Sequence, residues 1–314
     1  MSKPMIEVEG LVKTFGTGDN AVKAVRGIDF TVPEGQIFGL LGANGAGKST
    51  VVLMLATLLR QTEGTARVNG FDVLTQPNEV RQSFGAALQE TGLDPLQKAG
   101  ELLELHGRLY GYDKAAAAAR AAELLEVVGL TEDRGRRVGT SSGGMRRRLD
   151  LAAALIHHPP ILFLDEPTTG LDPASRRAIW DEVAKLQKEG VTVLLTTQYL
   201  EEADQLADHV AIMADGVIAA SGTPDELKSG MGADVVDIEL ADSETATRAA
   251  VAIGNDAKVI GHEVRISTTD GPTTLAEAIH ALKQAQIETK GVSLTQPTLD
   301  DVFLNLTDGP AAHE

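Results

Sequence analysis

A glycine-rich octapeptide carries the residues best suited to bind phosphate. Residues 42–49 read GANGAGKS, a full match to the G-x-x-x-x-G-K-[ST] pattern. Its glycines allow the backbone N–H groups to point at an anion, and the following helix directs its positive end there. Lys48 can bind the β and γ phosphates and the Ser49 hydroxyl can ligate Mg²⁺. The candidate nucleotide-binding residues are Asn44, Gly45, Ala46, Gly47, Lys48, Ser49 and Thr50.

Two carboxylates end an apolar strand-like segment much later in the chain. This segment, Ile161 to Glu166, reads ILFLDE. Ligands of open α/β sheets sit outside the carboxyl ends of strands, so Asp165 is placed to hold Mg²⁺ and Glu166 to polarise an attacking water. An apolar strand that ends in Asp-Glu can also be purely structural. Beside a phosphate-binding loop we interpret Glu166 and Lys48 as catalytic and Asp165 as a metal ligand.

The elements around these motifs alternate between strand and helix patterns. Near-continuous apolar segments at 36–41, 161–165 and 191–197 are typical of strands buried on both faces. Further strands are predicted at 6–15 and 27–32, and helices at 48–59, 95–130, 146–156 and after Pro173. This alternation predicts an α/β domain with a mainly parallel sheet and a small antiparallel part.

The pattern changes near residue 230, where the chain reads SGMG. We therefore predict a first domain over 1–229, with a helical subdomain at about 90–157, and a small α+β domain over 230–314. In the second domain, Val236, Ile238 and Leu240 alternate with acidic residues, as in a half-exposed strand. The segment 234–294 could follow the order β-α-β-β-α-β of a ferredoxin-like unit.

The composition argues against several classes of protein. The 314 residues carry a formal charge of −17, so a nucleic-acid partner, which usually requires a basic face, is not expected. The absence of cysteine excludes disulfides and Cys-based metal sites. We find no signal peptide and no apolar run of the roughly 18–20 residues that a membrane span needs.

Further segments resemble the ATP-binding subunits of ABC transporters. The segment 141–145, SSGGM, lies where that family carries its Leu-Ser-Gly-Gly-Gln signature. Gln89 resembles the Q-loop glutamine, the segment 169–173 (TGLDP) resembles the D-loop, and Phe15 occupies the position of the adenine-stacking aromatic. The segments TTQYLEEADQLAD and PTLDDVFLNLT are similar to those of the daunorubicin/doxorubicin resistance type.

The resemblance implies ATP and Mg²⁺ as cofactors and assigns further residues to the site. Gln89 would contact the Mg²⁺, and Phe15 would stack on adenine. From the opposite subunit of a head-to-tail pair, most simply a homodimer, the site would receive Ser142, Gly143, Gly144 and Asp172. Each position has a simpler alternative: Ser142 and Asp172 could be helix N-caps, Gln89 an ordinary loop residue and Phe15 part of the core.

Three departures from the usual family pattern matter. The leucine and glutamine of the signature are Ser141 and Met145 here, which flank the phosphate-facing residues. The histidine usual after the strand at 191–197 is Gln198, which can donate a hydrogen bond but cannot carry charge. We count Gln198 as a candidate catalytic residue and expect hydrolysis that depends mainly on Glu166, with no pH dependence from residue 198. The arginines at 146–148 are interpreted as a solvated or interface face.

The resemblance predicts an ATP-hydrolysing subunit that powers export of a hydrophobic drug, antibiotic or lipid. Its partner would be a separate integral membrane permease, docked beside Gln89 at the cytoplasmic face of the cell membrane, with this chain peripheral. The C-terminal domain could govern subunit pairing or be a structural appendage. One alternative function is a soluble ABC-type ATPase that acts on nucleic acid or ribosomes. Another, suggested by Gln198, is a catalytically weak regulatory subunit.

Overall fold

The computed structural model describes residues 3–89, 92–230, 234–254, 257–295 and 298–308. The chain divides into two compact units, Met1–Pro224 and Asp225–Glu314. This division falls between residues 224 and 225 rather than at the glycine-rich stretch near 230, because a short helix that precedes the stretch groups with the second unit. Met231 and Gly232 of this stretch lie outside the described residues.

The first unit is an α/β arrangement with two sheets. Its strands are β1 (Pro4–Phe15), β2 (Val22–Pro33), β3 (Ile37–Leu41), β4 (Glu63–Val68), β5 (Phe71–Asp72), β6 (Phe84–Ala87), β7 (Ile161–Asp165), β8 (Thr192–Thr197), β9 (His209–Ala214) and β10 (Val217–Gly222). Its helices are α1 (Lys48–Leu55), α2 (Pro77–Gln82), α3 (Ala99–Leu109), α4 (Lys114–Val127), α5 (Gly143–Ala154), α6 (Pro173–Lys188) and α7 (Leu200–Leu206), and α8 (Pro224–Ser229) follows at the division.

The larger sheet places the phosphate-binding loop beside the acidic strand end. Its order is β10-β9-β3-β8-β7-β6, with parallel pairing from β9 through β6 and an antiparallel edge at β10. Every residue of β3, β7 and β8 is buried, as the apolar runs predict for strands covered on both faces. Because β3 and β7 both flank β8 in the same direction, the segments that follow them emerge at one edge.

The smaller sheet is antiparallel, with the order β2-β1-β4-β5. The strands predicted at 6–15 and 27–32 are parts of longer strands whose pairing contains register shifts. Between this sheet and the larger one, helix α1 contributes Val51, Val52 and Met54 to one apolar core. The helix that starts at the phosphate-binding loop is thereby anchored to both sheets.

The helix predicted over 95–130 is interrupted. It consists of α3 and α4, separated by a turn in which Gly111 has φ +90°, a backbone conformation that favours glycine. The Asp113 side chain caps α4 by accepting a hydrogen bond from the Ala116 N–H at 2.8 Å. The segment 95–130 is therefore largely helical, as predicted, and the turn divides it into two helices.

The second unit contains β11 (Asp234–Glu239), α9 (Ser243–Ile253), β12 (Ala257–Ile260), β13 (Glu263–Thr268), α10 (Gly271–Gln284), β14 (Gly291–Thr295) and α11 (Leu299–Asp308). The strand order is β12-β13-β11-β14 with antiparallel neighbours, so 234–295 has the β-α-β-β-α-β topology of ferredoxin-like units. Val236 and Ile238 enter its core with Ala246 and Leu282 of the helices. The alternation in β11 thus separates a buried face from an acidic one.

Candidate functional site

The phosphate-binding loop has a backbone that only glycine tolerates at a central position. Gly47 has φ +104°, and a Cβ atom there would lie 2.4 Å from the Ala24 carbonyl oxygen. The first turn of α1 has no side-chain cap, so its N–H groups remain available to an anion. The loop therefore presents backbone donors at the positive end of a helix, as the sequence predicts.

Lys48 lies within this loop. Its ammonium donates hydrogen bonds to the carbonyl oxygens of Gly42 at 2.7 Å and Ala43 at 3.0 Å. The side chain is only 3% exposed, and this burial lowers the pKa of Lys48, while the nearby carboxylates of Glu166 and Asp165 act in the opposite direction. The Lys48 ammonium is thus buried and is bound by backbone carbonyl oxygens of the loop.

The acidic strand end meets the loop as the motifs predict. The Ser49 hydroxyl donates a hydrogen bond to Asp165 Oδ1 at 3.1 Å, and the Thr196 hydroxyl of β8 donates to the same oxygen. Lys48 Nζ lies 3.7 Å from Glu166 Oε1. A hydroxyl beside a carboxylate is a set of hard oxygen donors, which suits Mg²⁺. The residues present therefore fit a magnesium ion bound with a nucleotide.

Glu166 is held in an unusual backbone conformation. Its φ is +49°, a left-handed value that costs a non-glycine residue on the order of 1–3 kcal/mol and is common at functional sites. The Glu166 N–H donates to the carbonyl oxygen and hydroxyl of Thr196, at 3.0 and 3.1 Å. The Thr169 hydroxyl donates to Glu166 Oε2 at 3.2 Å. The chain thus turns sharply after β7 and the carboxylate is fixed at the turn.

A cleft of about 390 Å³ brings Glu166 together with three motifs predicted from resemblance. Gln89, which is exposed, and Gly143 of the signature segment both line it. Thr169 and Gly170 of the predicted D-loop complete this part of its wall. Gln89, two residues after β6, Glu166, directly after β7, and the start of α5 thus surround one cavity.

Both predicted N-caps are present. Ser142 Oγ accepts a hydrogen bond from the Met145 N–H at 3.2 Å, and Asp172 Oδ1 accepts one from the Ser175 N–H at 2.9 Å. Ser142 and Asp172 are also exposed. The start of α5 lies against α6, since a Cβ atom on Gly144 would be 2.7 Å from Ser175 Oγ. The capping alternative is therefore realised, and contacts to an opposite subunit stay a prediction.

Phe15 and Gln198 take no part in the contacts described above among Lys48, Ser49, Asp165 and Glu166. Phe15 is 42% exposed at the end of β1, so it is not the core residue that one alternative proposed. The Lys13 ammonium lies 4.9 Å from the centre of its ring. Gln198 is half-buried and directly follows β8, two residues after Thr196. Among the described hydrogen bonds, none joins Gln198 to Glu166.

The interpretation of the arginines at 146–148 as a solvated or interface face holds for Arg146 but was wrong for Arg147. Arg146 is exposed, but Arg148 is half-buried and Arg147 is 8% exposed. Arg147 Nη2 donates to the Glu166 carbonyl oxygen at 2.9 Å. The sequence does contain a signal: Arg147 lies three residues after Gly144 and four before Leu151, on the inward face of α5. The sequence prediction relied on the charge of the three arginines and did not consider which face of the helix each one occupies.

Comparisons with known proteins agree with this geometry. The family model for ABC transporters matches residues 25–169, and that for the C-terminal domain of DrrA1-3-like ATP-binding proteins matches residues 222–307. A dimeric ATP-binding cassette in a post-hydrolysis state, bound to ADP and Pi, is 25% identical with a TM-score of 0.65, covering 70% of this chain and 98% of that one. Another ATP-binding subunit of an ABC transporter is 27% identical with a TM-score of 0.64, covering 72% and 92%.

The fold and the site thus define an ATPase of the ABC type, an ATP-binding and ATP-hydrolysing transporter subunit. The chain is 46% identical to the daunorubicin/doxorubicin resistance ATP-binding protein of Streptomyces peucetius, covering 98% of this chain and 93% of that protein. It is 44% identical to the doxorubicin resistance ATP-binding protein of Mycobacterium tuberculosis, covering 97% and 94%. The chain belongs to this family of DrrA-like ATP-binding proteins. In the parts that the structure describes, no helix has the length and apolar character needed to cross a bilayer.

Proposed function

We propose that this chain hydrolyses MgATP within a head-to-tail homodimer and thereby drives export of a hydrophobic drug or antibiotic. Transport passes through a separate integral membrane permease, with this chain bound at the cytoplasmic face of the membrane. The observation that carries the proposal is the contact network at one sheet edge, in which Ser49 bonds Asp165 and Lys48 lies 3.7 Å from Glu166. This network joins the two motifs that ATP hydrolysis requires.

Each residue of the network has a distinct task. Lys48 and the loop amides bind the phosphates, and Glu166 accepts the proton of the attacking water. Ser49, Asp165 and Gln89 would hold Mg²⁺, which neutralises charge that develops on the phosphates. Because Thr169 bonds Oε2 of Glu166, the carboxylate keeps its orientation while Oε1 faces the Lys48 ammonium at 3.7 Å.

Further residues are proposed to contact the adenine and the γ-phosphate. The exposed ring of Phe15 can stack on adenine, and Gln198 can donate a hydrogen bond to the γ-phosphate. The exposed residues Ser142, Gly143 and Asp172, together with Gly144, would reach the ATP of the second subunit. The dimeric assembly of the structural relative bound to ADP and Pi supports this pairing.

The cargo class is proposed from the relatives. Those named above are daunorubicin or doxorubicin resistance proteins, and a Bacillus subtilis relative at 36% identity is a linearmycin resistance ATP-binding protein. They favour an exporter over an ATPase that acts on nucleic acid or ribosomes. In inside-out vesicles containing this chain and the membrane protein encoded beside it, we expect MgATP-dependent accumulation of doxorubicin. Glu166→Gln vesicles should show none, and equal accumulation with and without MgATP would contradict the proposal.

A second cleft, of about 500 Å³, lies beside the segment that precedes Gln89 and is the proposed docking site of the permease. Its wall combines apolar residues of the sheet and of the helical subdomain, including Phe84, Leu88 and Leu93. Leu58 and Leu109 line it and are 61% and 75% exposed. Exposed apolar side chains around a groove are typical of protein interaction sites. A short cytoplasmic helix of the permease fits such a groove.

We expect Leu109→Glu to abolish copurification of the permease, because the groove would then have to bury a carboxylate. The matched control is Val251→Glu, an equally exposed apolar position in α9 of the second unit. The measurement is recovery of the permease with the tagged subunit in detergent. The affinity of each isolated variant for MgATP checks its fold. Normal recovery of the permease with Leu109→Glu would contradict docking in this groove.

A further inference from the structure

Arg147 makes an unusually large number of contacts with backbone oxygens around Glu166. Its Nη2 donates to the carbonyl oxygens of Asp165 at 2.6 Å and Glu166 at 2.9 Å. Its Nε donates to the Pro167 carbonyl oxygen at 2.9 Å. Its Nη1 donates to the Leu88 carbonyl oxygen at 2.6 Å. One buried side chain therefore binds three consecutive carbonyls, from the last residue of β7 onward, and one carbonyl directly after β6.

These carbonyls need such a partner because the chain leaves the sheet at this point. Glu166 turns into the left-handed region, so the peptide groups after β7 cannot continue a strand ladder. Buried carbonyl oxygens without a donor are costly. A guanidinium has five donors in a fixed planar fork, whereas a lysine ammonium presents its donors from a single nitrogen. Lysine cannot reach all four oxygens from one position.

The contact with Leu88 connects two parts of the site. Leu88 directly precedes Gln89, and both Gln89 and Glu166 line the 390 Å³ cleft. The Asp150 carboxylate, one helical turn further along α5, lies 3.5 Å from Arg147 Nη1 and holds the guanidinium from the other side. The position of the segment after β6 is therefore linked to that of the segment after β7 by one cation.

We propose that Arg147 is a positioning residue for ATP hydrolysis, which holds the backbone of Glu166 and the segment before Gln89 in one fixed relation. The proposal rests on the proposed catalytic role of Glu166. Without the guanidinium, the turn after β7 would relax and the carboxylate would move away from its working position. Because the phosphate-binding loop is anchored by α1 and does not depend on Arg147, nucleotide binding should be preserved.

The test compares Arg147→Lys with Arg148→Lys. Arg148 is the matched control because it lies on the same helix and also donates to backbone carbonyls, those of Val128 at 3.0 Å and Gly129 at 3.4 Å. We expect Arg147→Lys to lower kcat about tenfold to a hundredfold with the Kd for MgATP unchanged, since displacements of about 1 Å have effects of this size. Arg148→Lys should keep kcat. The Tm of Arg147→Lys should be lower than that of Arg148→Lys, because some buried carbonyls lose their donor. The kcat values are therefore compared at a temperature at which both variants are fully folded.

Two outcomes would overturn the proposal. If Arg147→Lys keeps the kcat of the unmodified chain, the contacts with the carbonyls do not position the site. If the deficit in kcat disappears at assay temperatures well below the Tm of both variants, or if Arg147→Lys and Arg147→Gln both fail to fold, Arg147 is structural. Glu166→Gln, measured in parallel, separates this failure from that of the proposed function: normal turnover with that variant would refute the catalytic role of Glu166 itself.

Discussion

Replacing Glu166 with glutamine is expected to lower the turnover number for ATP hydrolysis by about 10²–10⁴-fold, the usual contribution of a general base. This corresponds to about 3–5 kcal/mol in the activation free energy. Glutamine has nearly the same shape and can still accept a hydrogen bond from Thr169, but it cannot take a proton from water. The measurement is steady-state phosphate release by the subunit reconstituted with its permease.

The control is Glu201→Gln, a carboxylate on α7 whose side chain is 70% exposed and pairs with Arg176 at 3.7 Å. Its turnover should remain unchanged, since an exposed ion pair contributes little. Glu166→Gln should keep its affinity for MgATP, because the phosphates are bound by the loop and by Lys48. Unchanged phosphate release with Glu166→Gln would mean that another group is the general base. Gln198, a further catalytic candidate, cannot accept a proton from water.

Much of this site follows from local rules of sequence. The glycine-rich loop was predictable because its φ values and its close approach to Ala24 leave glycine as the only fitting residue. The acidic strand end was predictable because the four apolar residues before Asp165 are typical of a strand buried on both faces. Ser142 and Asp172 were predictable as N-caps because their side chains satisfy N–H groups one turn ahead.

The features that escaped the sequence prediction depend on contacts between distant segments. The left-handed φ of Glu166 is unusual for this residue type and is maintained by hydrogen bonds from its N–H to Thr196 on the neighbouring strand. The burial of Arg147 depends on four carbonyls at 88 and 165–167, which only the folded sheet brings together. The spacing of Arg147 from Gly144 and Leu151 indicates the inward face of α5, but the residue types around position 147 contain no sign of these acceptors.

A second large effect is expected for Lys48→Met, which removes the cation of the loop and keeps the apolar stem. Hydrogen bonds to charged groups contribute about 1.5–3 kcal/mol each, so we expect affinity for MgATP to fall at least about tenfold. The change also leaves Glu166 without the cation 3.7 Å away. The measurement is titration with a fluorescent ATP analogue in the presence of Mg²⁺. Lys188→Met, at the exposed end of α6, is the control for loss of a lysine.

Thermal unfolding tests the same variant without a labelled nucleotide. A ligand at about 100 times its Kd stabilises the folded state by about 2.7 kcal/mol, and in a unit of this size each kcal/mol raises Tm by about 2–4 °C. Lys188→Met should show this MgATP-dependent rise in full. Lys48→Met should show about half of it or less at the same concentration, because a tenfold weaker Kd reduces the stabilisation to about 1.4 kcal/mol. A full rise in both would mean that the ammonium, although buried among the loop carbonyls, does not reach the nucleotide. Phosphate binding would then depend on the backbone amides of the loop and α1 alone.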